Sequence, residues 1–122
     1  MHDETTSQPL KMIVGKDLEA VTFVMDYVQL QFQELIFTAL AWPTISDGSK
    51  NMTIVQLGYR DKLCEQITQS VVAVRDDPKS ITITLKNGVS LIVPLDADEP
   101  RGPEMAHLSG KGLFITAWHR SN

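Results

Sequence analysis

Tyr27 to Trp42, YVQLQFQELIFTALAW, is the stretch whose reading decides the fold of this chain. Val28, Leu30 and Phe32 alternate with Tyr27, Gln29 and Gln31, the period of two that a strand shows when one face meets a core. A reversal is predicted at Gln33-Glu34. Beyond it the sequence is almost continuously apolar from Leu35 to Trp42 and stops at Pro43. A strand apolar on both faces needs cover on both, from its own fold or from a partner chain. The stretch therefore predicts two antiparallel strands of a β-rich domain with apolar surface to spare.

Upstream, Pro9 followed by Leu10, Ile13 and Val14 predicts a helical turn, with Gly15 as its stop. Leu18–Met25 predicts a strand carrying Val21, Phe23 and Met25 on one face, and Asp26 marks the turn into Tyr27. A shift of 53 residues brings this pattern back. Leu10 falls on Leu63, Val14 on Ile67, Leu18 on Val71, Val21 on Val74, and Val28, Leu30 and Phe32 on Ile81, Ile83 and Leu85. One extra residue in the second hairpin, at Lys86-Asn87-Gly88, makes the shift 54. Leu35, Phe37, Ala39 and Ala41 then fall on Val89, Leu91, Val93 and Leu95. Two tandem three-stranded meanders, at 10–43 and 59–95, are the expectation.

The second meander has the plainer turn chemistry. Asn87-Gly88 supplies residues that accept positive φ in a tight hairpin, and Asp76-Asp77-Pro78-Lys79 is a second turn. Tyr59, Leu63 and Ile67 recur at i, i+4 and i+8, predicting a short amphipathic helix after Gly58 with Cys64 packed on its apolar side. Thr44–Leu57 reads as a linker, turn-rich at Asp47–Asn51, with Met52, Ile54 and Val55 as candidates for a short edge strand. DADEPRGPE, after Leu95, reads as an irregular loop. Glu104–Leu108 is expected to form one helical turn. Leu113–Trp118 is expected to be a last strand, with Phe114, Thr116 and Trp118 sharing a face. The fold class expected is mainly β (α+β): antiparallel sheets forming a sandwich or small barrel, with one or two short helices. A single domain at 9–122 follows a flexible tail at 1–8.

Composition bounds the function. With 122 residues, 43% of them hydrophobic and 21% charged, the chain has enough apolar sequence for one core without staples. The single cysteine, Cys64, excludes an intramolecular disulfide and fits a reducing compartment. No run reaches the ~18 apolar residues of a spanning helix, and MHDETTSQP lacks the pattern of a secretion signal, so the cytoplasm is the expected location. A net charge of −4 disfavours nucleic acid as a partner.

Four segments carry a family resemblance: Asp26–Phe32 (DYVQLQF), Trp42-Pro43, Gly58–Cys64 (GYRDKLC) and Gly102-Pro103-Glu104. Together they resemble an uncharacterised family of small bacterial proteins with a DYVQL-F strand, a GYRD-LC helix and a late GPE. The resemblance spans most of 13–118 and implies a compact bacterial cytoplasmic domain. It carries no catalytic residue across.

No catalytic or cofactor motif is present, and no cofactor is expected. His2, His107 and His119 are far apart in sequence. A metal set of His107 with Asp96, Asp98 or Glu104 competes with a reading as solvated loop carboxylates, which the missing calcium-loop ligands favour. Tyr27, Tyr59, Arg60, Arg101 and Glu104 are the polar residues that would line a ligand pocket between the meanders. Phe37, Trp42, Phe114 and Trp118 are the candidate interface residues, where large rings end or interrupt apolar strands. The first functional expectation is a non-enzymatic interaction module. Its partner would be a second copy, as a homodimer, or a dedicated protein, in the manner of an immunity or antitoxin-like protein by analogy of size and charge. The alternative is a small-molecule binding domain.

Overall fold

The computed structural model describes residues 6–96 and 103–120. The first half of the chain holds helix α1 (Gln8–Lys11) and strands β1 (Leu18–Val24), β2 (Tyr27–Phe32), β3 (Leu35–Ala39), β4 (Thr44–Ser46) and β5 (Asn51–Met52). The second holds α2 (Tyr59–Cys64), β6 (Val71–Asp76), β7 (Ser80–Leu85), β8 (Ser90–Pro94), β9 (Glu104–Gly110) and β10 (Leu113–His119). They form two antiparallel five-stranded sheets, β1-β2-β3-β9-β10 and β5-β4-β8-β7-β6. Neither sheet closes on itself, so the architecture is a β-rich sandwich rather than a barrel. Among the described residues no helix is long and apolar enough to cross a membrane.

Alternation builds the core. Val28, Leu30, Phe32, Phe37 and Leu108 of one sheet, and Ile81, Ile83, Leu91 and Val93 of the other, are all fully buried. Each such side chain contributes about 1.5–3 kcal/mol relative to exposure. Leu10 and Ile13 around α1 and Leu63 of α2 are equally buried, so the short helices act as plugs on the same core. This packing, rather than intrinsic propensity, sustains helices of four and six residues. Gly58 caps α2 with φ of 87°, a left-handed conformation that costs a glycine nothing.

β1–β2–β3 and β6–β7–β8 are consecutive antiparallel meanders with corresponding registers. Leu18 lies opposite Phe32 and Val21 opposite Leu30; Val71 lies opposite Leu85 and Val74 opposite Ile83. Both meanders have a register break at the same place, between Leu18 and Ala20 and between Val71 and Ala73. Each meander then sends its next two strands to the opposite sheet, β4 onto β8 and β9 onto β3.

Several expectations are corrected. Glu104–Leu108 is the start of β9, not a helical turn. Its helix-forming residues are overridden by pairing with β3, where Ala106 lies opposite Ala39 and Leu108 opposite Phe37. The linker after Pro43 contains a strand, β4, and the edge strand stops at Met52, before Ile54. Cys64 is exposed rather than packed beside Leu63, because the last turn of α2 presents it to solvent. Met25 is 93% exposed at the hairpin tip and does not continue the inward face of Val21 and Phe23. In β10 a register shift between Phe114 and Thr116 puts Phe114 opposite Ser109 but Trp118 opposite Ala106. The extra residue, Ile115, flips the alternation, so Phe114 is exposed while Trp118 is buried.

Part of the segment expected to be a loose tail is also described. Thr6 is buried, the Ser7 N–H donates to Asp76 Oδ1 at 2.9 Å, and Gln8 opens α1. The same carboxylate accepts the Trp118 Nε1–H through Oδ2 at 2.8 Å. Asp76 thus ties the segment entering α1 and the last strand to the end of β6. Replacing it, Asp76→Ala, leaves two donors without an acceptor and is expected to cost on the order of 2–3 kcal/mol in chemical denaturation. Thr68, an exposed β-branched residue, sits at φ of 90°, a conformation disfavoured for its type. Thr68→Gly removes that strain and is expected to stabilise the protein by ~1 kcal/mol; no rise in melting temperature would show that the strain is absent.

Candidate functional site

A groove of about 380 Å³ is lined by residues 54–61. It exists because β5 ends after two residues and the chain must turn before entering α2. The Gln56 N–H donates to Thr53 C=O at 3.0 Å and the Tyr59 N–H to Gln56 C=O at 3.2 Å. The Gln56 side chain in turn accepts the Thr53 N–H at 2.7 Å. These bonds consume the polar groups of the turn locally and leave its aliphatic side chains outside. Val55 is 86% and Leu57 98% exposed.

Arg60, which lines the groove, is also the outer member of a stack of planar groups. The Arg60 guanidinium lies 5.4 Å from the centroid of Phe23 on β1. Phe23 in turn stacks on Trp42, with centroids 6.3 Å apart and planes at 25°. A guanidinium on an aromatic face gains cation–π attraction, about 0.5–1 kcal/mol where solvent reaches it, while keeping its N–H edges free to bind. Among the described residues Arg60 forms no ion pair.

Of the polar residues expected to line one pocket, Tyr59 and Arg60 both border this groove. Tyr59 is buried, and its hydroxyl donates to Pro43 C=O. Burial raises the pKa of this phenol above its ordinary value, so Tyr59 anchors α2 against the turn after Trp42 rather than offering a proton to a ligand. Arg60 lines the groove, but Tyr27 and Glu104 do not. Tyr27 is half-buried at the start of β2. Glu104 accepts from or shares a proton with His107, Oε2 to Nδ1 at 2.6 Å, near the Phe114 ring. Arg101 lies outside the described residues, as do His2 and Asp98.

The expected interface residues divide as well. Phe37 is fully buried and Trp118 nearly so; their rings pack 5.7 Å apart inside the sandwich and are not available to a partner. Trp42 is half-buried in the Phe23 stack, and Phe114 is 66% exposed. Among the described residues no group of three potential ligands is placed to hold a metal ion.

No family model, curated protein or solved structure matches the chain. The reading of the site therefore rests on its own geometry.

Residues 55 and 57 carry no surface signal in the sequence, because Val55-Gln56-Leu57 alternates like a strand of its own, out of phase with Met52-Thr53-Ile54. The one local signal was Gly58, which ends a strand as readily as it starts a helix. A second loop nearby has its own electrostatics. Asp47 Oδ1 accepts the backbone N–H groups of Lys50 and Ser49, each at 2.9 Å, and the Ser49 hydroxyl at 3.0 Å. These bonds, that from Lys50 foremost, favour the carboxylate and lower its pKa from 3.8 to about 2. Since the folded pKa lies below the unfolded one, the stabilisation is complete above the unfolded value and is lost as pH falls through the folded one. Asp47→Ala is thus expected to lower stability at neutral pH, with the difference from wild type shrinking as acid unfolding is followed from pH about 5 to about 2; a constant difference would show that the turn does not titrate.

Proposed function

We propose that the protein is a non-enzymatic protein-interaction module whose contact surface is the 54–61 turn with the Arg60–Phe23–Trp42 stack behind it. The observation that carries this reading is the near-complete exposure of Val55 and Leu57 beside a stacked guanidinium. Two adjacent aliphatic side chains held out by a hydrogen-bonded turn, beside Arg and aromatic groups, match the composition of contact centres between proteins. The groove supplies shape, the aliphatic pair supplies desolvation, and Arg60 supplies directional donors for a carboxylate or carbonyl. A second copy of the chain is the simplest partner, since symmetric homo-oligomers are the commonest assemblies. The reading includes a reducing, cytoplasmic setting, which suits the free and exposed thiol of Cys64.

Leu57→Asp and Val55→Asp test it. Both sites are solvated, so folding and melting temperature are expected to stay within the range of ordinary surface changes. Native mass spectrometry is expected to show a dimer for the wild type and a monomer for either variant at the same concentration. A wild-type dimer untouched by both substitutions would remove the surface from consideration. A wild-type monomer would remove self-association through it.

A further inference from the structure

Four backbone hydrogen bonds join the two halves of the chain at 15–18 and 68–71, and they come in matched pairs. The Gly15 N–H donates to Val71 C=O at 2.8 Å, and the Thr68 N–H to Leu18 C=O at 2.8 Å. The Leu18 N–H donates to Gln69 C=O at 2.9 Å, and the Val71 N–H to Lys16 C=O at 3.0 Å. Each bond becomes its mate when every residue is replaced by the one 53 positions away, the separation of the bridge partners Asp17 and Ser70. Gly15 and Thr68, again mates, share a left-handed backbone, with φ of 88° and 90°. The helix exits match too: Ile13 N–H to Leu10 C=O with Gln66 N–H to Leu63 C=O, and Lys16 N–H to Ile13 C=O with Gln69 N–H to Gln66 C=O. Alternating apolar sequence can mimic a repeat in strands, but it does not dictate paired loop bonds and a shared positive φ.

Each half also completes the other's sheet. The sheet begun by β1–β2–β3 is finished by β9–β10, and the one begun by β6–β7–β8 is finished by β4–β5. We propose that residues 6–52 and, in the second half, 59–96 with 103–120 are interlocking copies of one unit, and that their mutual interface fits a second copy of this chain. Two molecules then exchange halves through the 53–58 connection. Every bond between halves is remade in the exchanged dimer, between chains instead of within one; only the path of the connection changes. Within one molecule a short connection holds the halves at an effective concentration on the order of millimolar, so exchange competes as chain concentration approaches that range. The inference is independent of the proposed docking surface, because the exchanged contacts lie between the sheets and at residues 15–18 and 68–71, not at Val55 or Leu57.

A full-length variant carrying Asp17→Cys and Ser70→Cys, with Cys64→Ser to remove the native thiol, reads the exchange directly. The two new thiols occupy directly opposed bridge positions, within disulfide reach. The protein is unfolded, refolded at ~10 µM and at ~1 mM, bracketing the effective concentration, and oxidised only after refolding. The expected result is an intrachain disulfide in the dilute sample and an interchain-linked dimer with native circular dichroism in the concentrated one. Deleting Val55–Leu57 in the same background removes slack from the connection and is expected to raise the linked-dimer fraction at every concentration. Native monomer with intrachain disulfide alone at ~1 mM would overturn the proposal, whatever the deletion does. A dimer whose 17–70 disulfides are all intrachain, and which Leu57→Asp dissolves, would assign the contact to the docking surface instead and would overturn it equally.

Discussion

The structure depends on the backbone ladder between 15–18 and 68–71, where the two sheets are stitched at one corner. Four hydrogen bonds and the Asp17–Ser70 bridge hold the starts of β1 and β6 side by side. Of these residues only Leu18 and Val71 are buried, and their backbone groups left unpaired would each carry a desolvation cost of about 1–3 kcal/mol. Both strands therefore enter their sheets in a fixed direction. Given that entry and the matching register breaks that follow, Leu18 and Val71 turn inward, and the remaining alternation sets which faces are apolar. Thr68 shows how strict the constraint is: the corner imposes a left-handed backbone even on a β-branched residue.

Crossing of the strands that follow each meander to the opposite sheet resolves the apolar excess of Leu35–Trp42. β3 is flanked by β2 and β9 within its sheet, and Phe37 packs on Trp118 of β10 along the inner face of that same sheet. A strand in the middle of a five-stranded sheet tolerates an almost continuous apolar run because neighbours cover its outer face as well. Thr38 illustrates the outer side: it is 2% exposed, flanked by Gln29, whose Nε2 donates to its hydroxyl, and by His107 across the pair to β9. Apolar surface that looked like an interface is consumed by the domain itself.

The contact surface proposed above lies at the connection between halves. There a turn satisfies its own polar groups and leaves Val55 and Leu57 in solvent, next to the planar stack of Arg60, Phe23 and Trp42. The corner around Asp76 is closed by contrast, with the Trp118 indole and the Ser7 amide both on one carboxylate. Two halves with corresponding ladders thus present different chemistry at their ends, one sealed and one open.

Local pattern alone determined the meanders. Alternation at Val28–Phe32 and Ile81–Leu85, the Asn87-Gly88 turn and the Tyr59–Leu63 spacing each encode structure over a few residues, so β2, β7, their hairpins and α2 were legible in order. The candidate site was legible only in Arg60 and Trp42. The tertiary structure decided the rest, because it depends on pairings between distant segments that no window of sequence contains. Glu104–Leu108 became a strand because β3 offered an edge. Ile115 bulged and sent Phe114 and Trp118 to opposite faces. Tyr59 lost its hydroxyl to Pro43, and Val55 and Leu57 were left outside because β5 found partners for just two residues. Side-chain period fixes which residues share a face; only long-range pairing fixes which face is buried, and therefore which residues are left to bind anything else.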